Sequence, residues 1–187
     1  MTVDRAAAPP PADEHWAPDH LVLARRVFAY AGRLVVERDQ HGQVISHAPL
    51  AGMAAVEHRY PAWARGPFGR IDPERAIPSS PGVFALVQDG TTRYVGHSSD
   101  LGRLFSPRGL GEISRREAQT SRYEERCRLN RLVVREAVAG RVVELYLLVL
   151  PRPGLVHRVT GRAAEERAED VADEVLAAHR GAWHLPG

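Results

Sequence analysis

The chain has 187 residues, 44% of them hydrophobic and 26% charged, which suffices for one packed domain with an appended N-terminal part. Its formal charge of +2 rests on arginine alone, since lysine is absent, and a single cysteine, Cys127, excludes an internal disulfide. No apolar run approaches the roughly 20 residues needed to span a bilayer, and residues 1–20 lack the cationic start and apolar stretch of a signal peptide. The expectation is a cytoplasmic protein with no membrane partner.

Residues 1–16 are rich in Ala and Pro and read as a disordered tail. Residues 17–80 read as an N-terminal extension. Leu21, Ala24, Val27, Phe28 and Ala31 recur at helical spacing between a cap at Asp19 and a stop at Gly32, which predicts a helix over 19–32. A weaker hairpin is expected over 33–47 around His41-Gly42, and prolines at 61, 67, 73, 78 and 81 mark a loop-rich connection. From residue 81 the pattern predicts a strand over 82–88, a turn at Asp89-Gly90 and a strand over 92–96. A short helix starting at Ser98 or Ser99 follows, then a Gly-rich loop over 106–114 and a helix over 121–139. An apolar strand over 141–151 stops at Pro151, and a last helix covers 161–180.

Charge is unevenly spread along these elements. Residues 101–143 hold ten arginines against five glutamates, whereas 161–180 hold three arginines against six acids. The first stretch is therefore an anion-facing surface in expectation, and the last helix is acidic.

Gly82-Val83-Phe84 and Tyr94-Val95-Gly96 sit on the two strands of the predicted hairpin, followed by a helix, the Cys-Arg-Leu-Asn stretch at 127–130 and a Trp-bearing end. Together these features resemble the GIY-YIG nuclease superfamily over about residues 81–187. The resemblance implies an α+β fold: a small three-stranded antiparallel sheet flanked by helices, with an N-terminal helical and hairpin extension. It also implies metal-dependent phosphodiester hydrolysis. In that family a glutamate on the last helix holds a divalent cation, a strand tyrosine activates water, and an arginine stabilises the developing charge.

This chain departs from the pattern at each polar role but one. Phe84 replaces the first tyrosine, Leu104 the arginine (with Arg103 one position earlier), Ala172 the metal glutamate counted from Trp183, and His184 the closing asparagine. Tyr94 is retained. The expectation is a nucleic-acid-binding relative of a DNA endonuclease with lost or impaired cleavage, using Arg103, Arg108, Arg115 and Arg116 on phosphates. One alternative is a fold recruited to a small-molecule substrate, with Tyr94 and His97 doing acid–base work and Phe84, Cys127 and Asn130 near the same cleft. The other is an active endonuclease with relocated ligands, Glu169 binding Mg²⁺ or Mn²⁺ in place of residue 172; in the main reading such a cation binds weakly or not at all.

Overall fold

The computed structural model describes residues 17–49, 51–52, 58–152, 167–179 and 181–184. The tail expected over 1–16 and the start of the last helix at 161–166 lie outside them.

The sheet begins where a helix was expected. Strands β1 (His20–Leu23) and β2 (Arg26–Val36) form an antiparallel hairpin in the register Leu23↔Arg26. Its two turn residues, Ala24 and Arg25, both have positive φ, 47° and 64°. That pairing matches the right-handed twist of the flanking strands. The apolar residues here read equally as a period of two. Leu23 and Phe28 are buried while Val22 and Val27 are more than half exposed, and the β-branched and aromatic content suits a pleated surface. The helix over 19–32 is thus corrected to a hairpin.

The remaining strands are β3 (Ser46–His47), β4 (Phe68–Gly69), β5 (Ile71–Pro73), β6 (Gly82–Gln88), β7 (Thr91–Ser98) and β8 (Val143–Val149). The main sheet is antiparallel with order β1-β2-β8-β6-β7, and β5 pairs with the distal half of β2; β3 and β4 form a separate two-stranded ribbon. The small three-stranded sheet of the sequence reading is therefore overturned by a curled sheet of six strands. Strands β7, β6 and β8 lie side by side, but β8 does not end the sheet. All of its first five residues are buried, and its outer edge is covered by β2, which brings β1 and β5 with it. Losing the β1–β2 hairpin to a helical reading removed that partner.

Between Tyr30 and Arg33 the ladder to β8 gains one residue on the β2 side. Gly32, at φ 99°, sits in this bulge. One extra residue reverses the side-chain alternation, so Phe28 packs on one face of the sheet while Leu34 and Val36 pack on the other.

Among the described residues, four α-helices cover the two faces: α1 (Leu101–Leu104), α2 (Arg115–Ala118), α3 (Glu124–Val138) and α4 (Ala168–Ala178). Helix α1 is capped by the Asp100 carboxylate, which accepts from the Arg103 N–H at 2.9 Å. Helix α2 carries a capping box between Ser114 and Glu117. On the front face, α3 packs Leu129, Val133 and Val134 over Phe84, Leu86, Tyr94, Leu145 and Leu147. On the back, α4 packs Val171, Ala172 and Val175 over Phe28, Val83, Ala85, Val95 and Tyr146.

Candidate functional site

Alternation along β7 sets the geometry of the site. Tyr94 and Gly96 face the front and Val95 the back. His97, three residues after Tyr94, therefore points to the opposite face from it. The expected Tyr94–His97 pairing is not formed.

The Tyr94 ring is buried, lying 5.8 Å from the Phe84 ring and stacked on His184 at 4.3 Å and 14°. Its hydroxyl donates to the Glu125 carboxylate. Glu125 and Arg128 are three residues apart on α3, close enough around the helix to reach one ring. The Arg128 guanidinium carbon lies 5.9 Å from the Tyr94 centroid, and its Nη1 donates to the Trp183 carbonyl. Burial above all, then the hydrogen bond and charge of Glu125, push the Tyr94 hydroxyl far above the usual tyrosine range, with Arg128 acting in the opposite sense. At neutral pH this hydroxyl is a committed donor and no base.

Residues 181–184 hold the tyrosine from outside. The Trp183 N–H donates to the Arg93 carbonyl at 2.9 Å, and the Val95 N–H donates to His184 Nε2 at 2.9 Å. The segment thus satisfies edge groups of β7 that would otherwise invite another strand. The two glycine–aromatic halves now have a packing explanation. A Cβ at Gly96 would lie 2.7 Å from both Phe84 Cζ and Tyr94 Cε1, so glycine is what lets the two rings close over the strand. Phe84 is further met edge-on by Phe105 at 5.2 Å, and the space beside it is filled rather than open.

No family model, curated protein or solved structure matches the chain. The roles of the individual residues therefore rest on this geometry.

His97 is exposed on the back and lines a shallow cavity of about 450 Å³ with Pro81, Ser98, Ser99, Arg167 and Glu169. Glu169 bonds Arg167 at 3.2 Å. His97 and Glu169, both expected site residues, line the same cavity but lie across the sheet from Tyr94. Ala172 is 1% exposed within the back core. Among the described residues no three His, Cys, Asp or Glu side chains converge. Beside Tyr94 the carboxylate in hydrogen-bond contact is Glu125, already accepting and close to the cationic Arg128. These donors do not fit a divalent cation, which needs several oxygens.

Cys127 and Asn130 are structural. Cys127 is fully buried among Phe68, Ile113 and Ala118. Burial pushes its thiol up to about 11; Arg126 pulls the other way and Glu117 adds to the rise. A thiolate nucleophile is not available there. A disulfide reagent such as DTNB should leave the native thiol unmodified at mildly alkaline pH and react at once after addition of urea; fast reaction of the native protein would place Cys127 on an accessible surface. Asn130 bonds the backbone of Gly69 and Leu110.

Arg103, Arg108, Arg115 and Arg116 are all exposed on α1, the turn after it and α2, in the front layer. Of these, Arg103, Arg108 and Arg116 form no ion pair among the described residues. The back helix α4 instead exposes Glu169, Asp170, Asp173 and Glu174. Glu125 and Arg128 escaped the sequence reading. Their three-residue spacing was visible, but nothing in it aimed them at Tyr94.

Among the described residues, no helix is long and apolar enough to cross a membrane.

Proposed function

We propose that the chain is a GIY-YIG-like protein that binds nucleic acid through its arginine-bearing front layer and has lost efficient phosphodiester cleavage. The observation that carries this reading is the distribution of charge: the exposed guanidiniums of Arg103, Arg108 and Arg116 on α1, the following turn and α2, which form no ion pair among the described residues, and acids on α4 behind the sheet. A surface of this kind attracts a phosphate backbone by counterion release, with affinity that falls as salt rises. The family likeness is supported by the hairpin itself, in which Phe84 pairs with Gly96 and β8 flanks β6. Loss of cleavage follows from the chemistry at Tyr94, whose hydroxyl donates to Glu125 and is held neutral, and from Phe84, which has no proton to handle.

Fluorescence anisotropy with labelled oligonucleotides over a salt series tests the binding, and plasmid nicking tests the loss of cleavage. Wild type should bind at low salt. Replacing Arg103, Arg108 and Arg116 together by glutamine should weaken binding at least tenfold and shallow the log–log salt slope by about three. Absence of binding at low salt, or indifference to the triple substitution, would overturn the binding surface. Magnesium-dependent plasmid nicking by wild type that disappears in Tyr94→Phe would overturn the loss of cleavage.

A further inference from the structure

A second cationic feature lies on another stripe of α3. Tyr123, Cys127, Arg131 and Arg135 follow one another at four-residue spacing and so share one side of the helix axis. Helix α3 packs there against the short 3₁₀ turn Ala62–Ala64. Trp63, Phe68, Tyr123 and Cys127 make the apolar end of this contact. Arg65 directly follows the turn and is fixed from behind, with Nε donating to the Tyr60 carbonyl at 2.8 Å and Nη2 to the His58 carbonyl at 3.3 Å. Its Nη1 carries no protein bond among the described residues.

Three arginines of α3 bury their Nε without an acceptor: Arg126, Arg128 and Arg131. The first two commit their terminal nitrogens, Arg126 to Glu117 and the Glu112 carbonyl, Arg128 to the Trp183 carbonyl. Arg131 has neither a hydrogen bond nor an ion pair among the described residues. Burial first, then the charges of Arg135 and Arg65, all act against its protonated form, and no carboxylate offsets them. A half-buried guanidinium pressed by two like charges is unfavourable unless an anion joins it. The planar fork of arginine suits the oxygens of a phosphoryl group, and a tetrahedral anion can meet more than one such fork.

We propose that Arg65, Arg131 and Arg135 form a phosphate-binding site between α3 and the turn at Ala62–Ala64, filled by a phosphodiester of bound nucleic acid. The site is defined for the phosphoryl group itself; taking nucleic acid as its source rests on the function proposed above.

Thermal unfolding in sodium phosphate, compared with sodium chloride at matched ionic strength, reads the site without any nucleic acid. Phosphate should raise the melting temperature of wild type beyond chloride, by mass action on the folded state. Arg131→Gln should abolish that difference, Arg135→Gln and Arg65→Gln should each shrink it, and Arg70→Gln, whose partner is Asp72, should keep it. Far-UV circular dichroism checks that each variant is folded, and the Arg135 and Arg65 variants carry the test if Arg131→Gln is not. Equal phosphate shifts in wild type and in all three site variants would overturn the site. In a second arm, Arg131→Gln should bind a labelled oligonucleotide about tenfold more weakly, and free phosphate should compete in wild type. A phosphate shift lost in Arg131→Gln alongside unchanged oligonucleotide affinity would overturn the phosphodiester as occupant and assign the site to free phosphate or a small phosphate ester. A phosphate shift in a wild type that binds no oligonucleotide would sustain the site and overturn the nucleic-acid reading instead.

Discussion

Replacing Asn130 by aspartate should destabilise the fold by about 3 kcal/mol or more near neutral pH. Asn130 has no solvent exposure. Its carbonyl oxygen accepts from the Gly69 N–H at 3.2 Å, and its amide nitrogen donates to the carbonyls of Gly69 at 2.9 Å and Leu110 at 2.8 Å. One side chain thus ties α3 to β4 and to the turn after α1. Aspartate keeps the shape but sets an anion against two carbonyls where an amide had donated. The effect should also depend on pH in a defined direction. In the folded variant the buried carboxyl would titrate above its unfolded value, so the penalty for the charge is absent where both states are protonated, leaving the cost of one lost donor, and grows as pH rises through that range. Urea midpoints of wild type and Asn130→Asp should draw closer in acid and separate toward neutrality, while Asn130→Leu should be destabilised by a similar amount at every pH. A variant of normal stability that has lost oligonucleotide affinity would show that Asn130 contacts ligand and does not brace the fold.

The two main hairpins show what the sequence makes legible. At Asp89-Gly90 the turn residues adopt φ of 50° and 70°, and Asp-Gly is the dipeptide that tolerates such angles, so β6 and β7 were readable from the residues alone. At Ala24-Arg25 the same geometry is imposed on residues that do not favour it. There the local signal pointed to a helix and the pairing of β2 with β8 decided otherwise. The missing edge partner for β8 was itself a clue, because an apolar strand ending at Pro151 has two edges to satisfy. Side-chain parity on β7 was also available in advance: three residues separate Tyr94 from His97, and an odd separation on a strand places them on opposite faces. By contrast, the Glu125–Tyr94 and Arg128–Tyr94 contacts depend on how α3 is rotated over the sheet, which no local pattern encodes. Cys127 and Asn130 lay in the stretch that resembled a catalytic family, yet both face the segment around Phe68 and Gly69 and serve packing.

Introducing the glutamate that the family pattern would place at residue 172 should unfold the protein rather than create a metal centre. Ala172 lies in the back core with Val83, Val95, Val171 and Val175, on the face of the sheet away from Phe84 and Tyr94. A carboxylate there gains no cationic partner among these side chains, and the expected loss for Ala172→Glu is on the order of 4 kcal/mol at neutral pH. Its folded-state titration would again lie above the unfolded value, so the loss should ease in acid and be fullest above that raised value. For the same reason the triple variant Phe84→Tyr, Leu104→Arg, Ala172→Glu should show no manganese-dependent DNA cleavage: the new carboxylate and the new hydroxyl stand on opposite faces, and groups that act as one catalytic unit give nothing when separated. Thermal unfolding with and without manganese measures the first expectation and plasmid nicking the second. If manganese raised the melting temperature of Ala172→Glu with increasing concentration, and the triple variant then cut DNA, the new carboxylate would have to reach the tyrosine side of the sheet. Helix α4 would then pack in a different register from the one that buries Val171 and Val175, and the chain would retain a hydrolytic centre that three substitutions restore.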